Sequence, residues 1–291
     1  ITCNIIESSK IVSSKVSLVV PSMSVTIALS SPNNTFNKED FPAFGFPKIT
    51  VLIPSWIILP SSADFAESFA LSGYNVVIAG KIEDSNNIAP SGVVVAPWNK
   101  TSAVSARSLV IHAETISGSL DNTVLYFDAP QFAAQFNSFT IDECPKAMDI
   151  MISGFQYLAL EAITRIEQRR NNGKIIFMLK THPTMMDVIQ SATLRNSTSA
   201  PANPFVAAAE AAFATFAENV VAYVQNKENI SVLLVTGDCQ NETMQKDKNL
   251  ASWLASYIEA YDSLKTKPSA KSSATWIKAG SKNPGSFSLF K

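Results

Sequence analysis

Residues 73–80 read Gly73-Tyr74-Asn75-Val76-Val77-Ile78-Ala79-Gly80. The apolar run between the two glycines is the length of a strand and has no polar alternation, as expected of a strand buried on both faces. Ahead of it, residues 61–72 have helical spacing, with Phe65, Phe69, Ala66 and Ala70 on one side and Gly73 as the helix C-cap. The same kind of apolar run recurs at 49–53, 92–96 (GVVVA), 123–127 (TVLYF), 174–179 (KIIFML) and 230–235 (ISVLLV). Helical patterns fall between the runs. One covers 101–117 with Thr101 as its cap, and a long one covers 142–170 and stops at Asn171-Asn172-Gly173. An alanine-rich helix opens at Asn203-Pro204 and runs to 224, and a last one covers 250–261. Continuous apolar strands separated by helices predict a parallel sheet covered on both faces, a doubly wound α/β fold.

Outward from this pattern, the chain divides into three parts. Residues 1–47 hold Ser and Asn clusters and two short β-like runs, 16–20 and 25–29, and read as an irregular N-terminal extension. Residues 48–264 form the α/β domain. Residues 265–291 are a basic, Ser-rich tail expected to lie on the surface.

Composition narrows the function classes. With 23 basic and 24 acidic residues the net charge is −1, so neither nucleic acid nor another polyanion is implied as a partner. The longest apolar run, 49–59, is broken by Thr50, Pro54 and Ser55 and is too short to span a bilayer. Cys3, Cys144 and Cys239 are odd in number and far apart, which argues against a disulfide framework or a zinc site. Reduced thiols point to an intracellular, cytoplasmic setting; an organelle stays open, because a targeting segment removed ahead of Ile1 would leave no trace. Five N-x-S/T sequons, at Asn33, Asn99, Asn196, Asn229 and Asn241, are what a chain rich in Asn and Ser produces without glycosylation.

Glycine is scarce, at ten residues in 291, about half of the usual share of roughly 7%. The closest pair, Gly280 and Gly285, is followed by Ser286-Phe287 where a phosphate-binding loop needs Lys and Ser or Thr. No GxG or GxxG occurs, so no glycine fingerprint of a dinucleotide-binding turn is present.

The order and spacing from Lys48 to about Met244 resemble the short-chain dehydrogenase/reductase family, across about two thirds of the chain. Gly73 to Gly80 looks like the end of that family's first helix and its second strand. Residues 147–154 (AMDIMISG) look like its fourth-helix region, Gly173-Lys174-Ile175-Ile176 like the start of its fifth strand, and 230–237 like its sixth strand. The resemblance implies a Rossmann-like sheet, and in active members NAD or NADP. Counted from these anchors, the family's glycine-rich turn falls on residues 55–62, placing Trp56, Pro60 and Ser62 where its three glycines would stand. Its NNAG segment falls on Phe127-Asp128-Ala129-Pro130. Family catalysis rests on Asn, Ser, Tyr and Lys, and those positions carry Met151, Lys180, Val206 (beside Phe205) and Glu210. No catalytic, cofactor-binding or metal-binding residue is therefore assigned, and no cofactor is expected.

The substitutes admit two arrangements. Lys180, His182, Asp128 and Glu210 converging at the C-terminal edge of the sheet would make a remodelled acid/base site. The plainer expectation is a Lys180–Glu210 ion pair replacing the old Ser and Lys. His112 reads as a residue inside a helix. His182 precedes Pro183 in a loop with no Ser or Cys partner in view, and no G-x-S-x-G elbow exists. Met185, Met186 and Ile189 are expected to fill a loop-side pocket, and the four tryptophans lack the basic interleaving of a nucleic-acid platform.

Three functions follow from the sequence. The preferred one is a non-catalytic short-chain-dehydrogenase-like protein, a structural or regulatory subunit of a homo-oligomer or of a hetero-oligomer with a related subunit. Its contacts would come from the helices at 142–170 and 203–224. The second is an NAD(P)-dependent oxidoreductase with an atypical site. The third is a small-molecule binding protein using the vacated cleft, with Trp56, Phe127 and Phe205 lining or filling it.

Overall fold

Each apolar run with described residues is a strand. The computed structural model describes residues 50–52, 60–79, 92–136, 141–195, 200–238, 241–264 and 274–284. The chain divides into units Ile1–Phe44 and Gly45–Lys291, and all described residues lie in the second. The expected strands at 16–20 and 25–29 and Trp56 fall outside the described residues, as do Cys3, Cys239 and the sequons at Asn33 and Asn196.

In chain order the elements are β1 (Thr50–Leu52), α1 (Pro60–Leu71), β2 (Val76–Ala79), β3 (Val93–Ala96), α2 (Ala103–Ser117) and β4 (Asn122–Asp128). Then come α3 (Ala129–Gln135), α4 (Cys144–Met148), α5 (Gly154–Arg169), β5 (Gly173–Lys180), α6 (Met185–Gln190), α7 (Ala192–Arg195) and α8 (Pro204–Val224). The chain continues through β6 (Ile230–Gly237), α9 (Glu242–Gln245), α10 (Asp247–Asp262) and β7 (Ile277–Lys278). Hydrogen bonding links β1-β4-β5-β6-β7 in that order, and β2 pairs with β3, every pair parallel. β2 runs beside β1, so the strands follow the order β3-β2-β1-β4-β5-β6-β7.

The pleat sorts the side chains of each strand onto two faces. In β4 and β5, Leu125, Phe127, Ile175, Phe177 and Leu179 point into the core under α2, α5 and α8. Val124, Tyr126, Ile176 and Met178 point the other way, into a second core with Phe65 and Phe69 of α1 and Leu250 and Leu254 of α10. Both faces of the sheet are covered, as the unbroken apolar strands predict. The α8 helix is long and apolar enough to cross a membrane by length and composition. However, Val206, Ala209, Phe213, Ala217 and Val220 are buried in the first core, as in a core helix.

Several boundaries differ from the sequence reading. Ser102, not Thr101, caps α2, its side chain accepting from the Ser105 N–H. The long helix at 142–170 is a succession: a 3₁₀ turn (Ile141–Glu143), α4, a π-turn (Asp149–Ser153) and α5. It stops at Arg170 in the left-handed conformation (φ 55°), while Gly173 already belongs to β5. Within the tail expected on the surface, Ile277 and Lys278 pair with Val235 and Thr236 as an added edge strand. Gly73 ends α1 as expected, with φ 89°, accommodating the left-handed turn into β2.

Candidate functional site

Ligands of doubly wound sheets bind outside the carboxyl ends of the strands, and there the pleat separates two groups of polar side chains. On the face toward α1 and α10, β4 ends at Asp128 and β5 at Lys180. The Lys180 Nζ donates to Asp247 Oδ1 at 2.8 Å, and Asp128 Oδ2 lies 4.0 Å away. The Tyr126 hydroxyl donates to the same Asp247 oxygen at 2.8 Å. All four residues are buried, at 3–6% exposure, so this is an ion cluster withdrawn from water. Asp128 also caps α3, accepting from the Gln131 N–H. Burial pushes the Asp128 carboxyl up, with Lys180 partly opposing the shift and Asp247 adding to it. Burial, and then the two carboxylates, hold the Tyr126 phenol well above its ordinary range.

The opposite face carries the second group. Glu210, on α8, is half-buried; one carboxylate oxygen accepts from the His182 backbone N–H, and Oε2 is buried with no hydrogen-bond partner. Burial, together with Asp187, pushes its carboxyl up to about 7. His182 Nε2 lies 2.8 Å from the Ala200 carbonyl oxygen. A carbonyl can only accept, so Nε2 is the donor. These residues border a hollow of about 450 Å³ between the loop after β5, α6, α7 and α8.

The expected Lys180–Glu210 ion pair does not form. Lys180 is paired with Asp247 and Asp128 instead, because β5 turns Lys180 toward α10 while Glu210 sits on α8, across the sheet. The four-residue convergence is likewise split, with Lys180 and Asp128 in one group and His182 and Glu210 in the other. Asp247 and Tyr126 are the members missing from the sequence reading. Asp247 is distant in sequence and carried no signal, whereas for Tyr126 the available signal was the pleat parity it shares with Asp128 two residues on.

The remaining positions fall as follows. Met151 is buried in the π-turn and Val206 is fully buried in the core. Phe127 packs against Phe132, Phe155 and Phe213 inside the core rather than lining a cleft, and Phe205 is 40% exposed. Pro60 is the first residue of α1. His112 lies exposed on α2. Met185, Met186 and Ile189 do not fill a pocket; they are 54–60% exposed on α6, which buries no residue. Lys100, in the loop after β3, is buried beside the Trp98 and Phe132 rings, and burial pulls its ammonium down to about 7. Cys144 carries a free thiol. Among the described residues no group of three or more His, Cys, Asp or Glu side chains is placed to hold a metal ion.

Solved structures with this arrangement decide the fold. A short chain dehydrogenase from Mycobacterium smegmatis superposes with a TM-score of 0.54 over 81% of this chain and 92% of its own, at 12% identity. A short chain dehydrogenase from Bacillus anthracis str. 'Ames Ancestor' gives 0.52 over 79% and 94%, at 15% identity. The chain has the short-chain dehydrogenase fold. No family model and no curated protein matches the sequence, so the likeness is one of architecture. Within that fold, Lys180 and Asp128 stand at the carboxyl ends of the two central strands, β5 and β4, where the resemblance places the Ser and the NNAG segment.

Proposed function

We propose that this chain is a non-catalytic protein of short-chain dehydrogenase fold that serves as a structural or regulatory subunit of an oligomer. One observation carries the reading: the residue at the serine position, Lys180, is buried and held by Asp247 and Asp128. A group fixed in this way has neither the hydroxyl nor the access to water and substrate needed to hold a carbonyl. On the opposite face of the sheet, Val206 offers no proton at the tyrosine position and is fully buried. Glu210 puts a carboxyl where the family's amine would lower a phenol's pKa.

These residues do not fit a nicotinamide dinucleotide in the family's manner. Pro60, the first residue of α1, has no N–H to donate to a pyrophosphate at the helix N-terminus.

The subunit half of the reading is supported by α8. Its inner residues are buried, while Phe205, Ala208, Ala211, Ala222 and Tyr223 are exposed along the outer side together with Thr215, Glu218 and Asn219. Exposed aromatic side chains such as Phe205 and Tyr223 are of the type enriched at interface cores. Light scattering on the purified chain, followed by affinity capture with an active short-chain dehydrogenase from the same source, tests the proposal. A stable oligomer, or a related subunit retained in defined ratio, is expected. A monomer that retains no related subunit refutes it.

A further inference from the structure

The buried cluster at the carboxyl ends of β4 and β5 joins two acids to one base. Lys180 Nζ is 2.8 Å from Asp247 Oδ1 but 4.0 Å from Asp128 Oδ2. With both carboxyls ionised, one negative charge is left over among residues withdrawn from water, a costly arrangement. Asp128, farther from the ammonium, is the acid with the weaker compensation. The supply of hydrogens points the same way. The Tyr126 phenol has one hydrogen, which goes to Asp247 Oδ1 at 2.8 Å, and Asp128 meets that same phenol. A protonated Asp128 donates to the phenol oxygen, whereas a carboxylate there finds no hydrogen left to accept. Asp128 Oδ1 is already engaged by the Gln131 N–H in the cap of α3. Burial is the largest influence on the Asp128 carboxyl and raises it. Lys180, the Gln131 N–H and any share of the phenol hydrogen oppose the rise, Asp247 adds to it, and the balance is upward.

The cluster also ties two parts of the fold together. Tyr126, Asp128 and Lys180 stand on the central strands, while Asp247 is the first residue of α10. The Lys246 side chain makes no cap bond for that helix, so the polar hold on its first turn runs through Asp247. Other charges around α10 are turned elsewhere: Asp64 and Glu67 of α1 face Lys248 on its outer side, and Asp262 at its far end faces Lys174. We infer that these four side chains form a proton-held latch on α10, in which Asp128 keeps a proton while the first turn is docked and gives it up to water when that turn lifts. Lifting carries Asp247 away and admits water, which removes both the burial and the like charge, so Asp128 returns to an ordinary carboxyl. The lifted state then binds fewer protons than the docked one. Docking is therefore fully supported below the ordinary carboxyl value and weakens as pH rises through the docked one. The latch is present whether the chain is a monomer or a subunit.

Amide hydrogen exchange on the full chain, corrected for the intrinsic rate at each pH, tests this between about pH 4.5 and about pH 8. The reporter is the Leu250 N–H, which donates to the Lys246 carbonyl at 3.0 Å in the first turn of α10. Its protection is expected to fall with rising pH by roughly tenfold for each pH unit by which docking raises the Asp128 carboxyl. Asp128→Asn keeps a capping carbonyl and fixes the neutral state, so it is expected to abolish the fall. Glu210→Gln removes the other carboxyl that burial raises and is expected to leave the fall intact. Three results each overturn the latch: Leu250 protection that does not change with pH, a fall that persists in a folded Asp128→Asn protein, or a fall abolished by Glu210→Gln. Should Asp128→Asn fail to fold, carboxyl-carbon NMR of the wild-type chain decides instead, and an Asp128 that titrates as an ordinary carboxyl overturns it.

Discussion

Replacing Asp247 by alanine removes the partner from a buried lysine. The Lys180 side chain is 8% exposed and the Asp247 side chain 4%, and their contact is 2.8 Å. Breaking one side of a buried pair costs about 3–5 kcal/mol, because the remaining charge stays out of water. Two local features act on that figure. Asp128 at 4.0 Å retains part of the compensation for Lys180, whereas the Tyr126 hydroxyl loses the acceptor it holds at 2.8 Å, worth about 1–3 kcal/mol when a buried group is left unmet. The two roughly offset, so about 3–4 kcal/mol is expected, or a fall in Tm of roughly 6–16 °C for a domain of this size. Replacing both partners with apolar residues, as in a Lys180→Met, Asp247→Leu double variant, is expected to cost only about 1–2 kcal/mol. Urea unfolding of the wild type, both single variants and the double variant gives the coupling energy. A Asp247→Ala loss below about 1 kcal/mol, or a double variant as unstable as the sum of the singles, would refute the buried pairing.

Further outcomes follow from other residues. Glu210 has its carboxyl raised from the ordinary 4.5 to about 7, so the fold is favoured where this group is neutral. Its contribution is fully present below the unfolded value and is lost as pH rises through the folded one. Glu210→Gln is therefore expected to gain about 1–2 kcal/mol over the wild type near pH 8.5 but not near pH 4.5, with partial exposure reducing the full shift. Equal gains at both pH values would contradict the assignment. Arg170 ends α5 with φ 55°, a conformation that costs a non-glycine residue about 1 kcal/mol. Arg170→Gly should thus raise stability by about 0.5–1 kcal/mol in the same unfolding assay, and a loss would mean that the arginine side chain does more than tolerate the turn.

Most of the fold was legible because burial on both faces of the sheet leaves strands without polar interruption. The segments 76–79, 122–128, 173–180 and 230–237 are strands for that reason. β7 was not legible, since two residues, Ile277 and Lys278, carry no period and become a strand only by pairing with β6. The π-turn at Asp149–Ser153 is hidden for a related reason: apolar residues continue through it at nearly helical spacing. The Lys180–Glu210 expectation failed on pleat parity. Lys180 shares its face with Ile176 and Met178, and Glu210 lies over the face of Phe177 and Leu179. Parity alone would have separated them, but it could not have supplied Asp247, which lies 67 residues from Lys180 and 121 from Tyr126. Only the docking of α10 brings it there. Met185, Met186 and Ile189 failed for another reason: α6 is a surface helix, and an apolar sequence is no guarantee of burial in so short an element.

The chain has the dehydrogenase fold, and the proposal is that it has lost the hydride chemistry. Titration of the purified chain with NADH and NADPH, followed by cofactor fluorescence, tests this most directly. The account predicts no saturable change with either nucleotide, and no turnover when carbonyl or alcohol substrates are added. Saturable binding with substrate-dependent oxidation of the cofactor would contradict it.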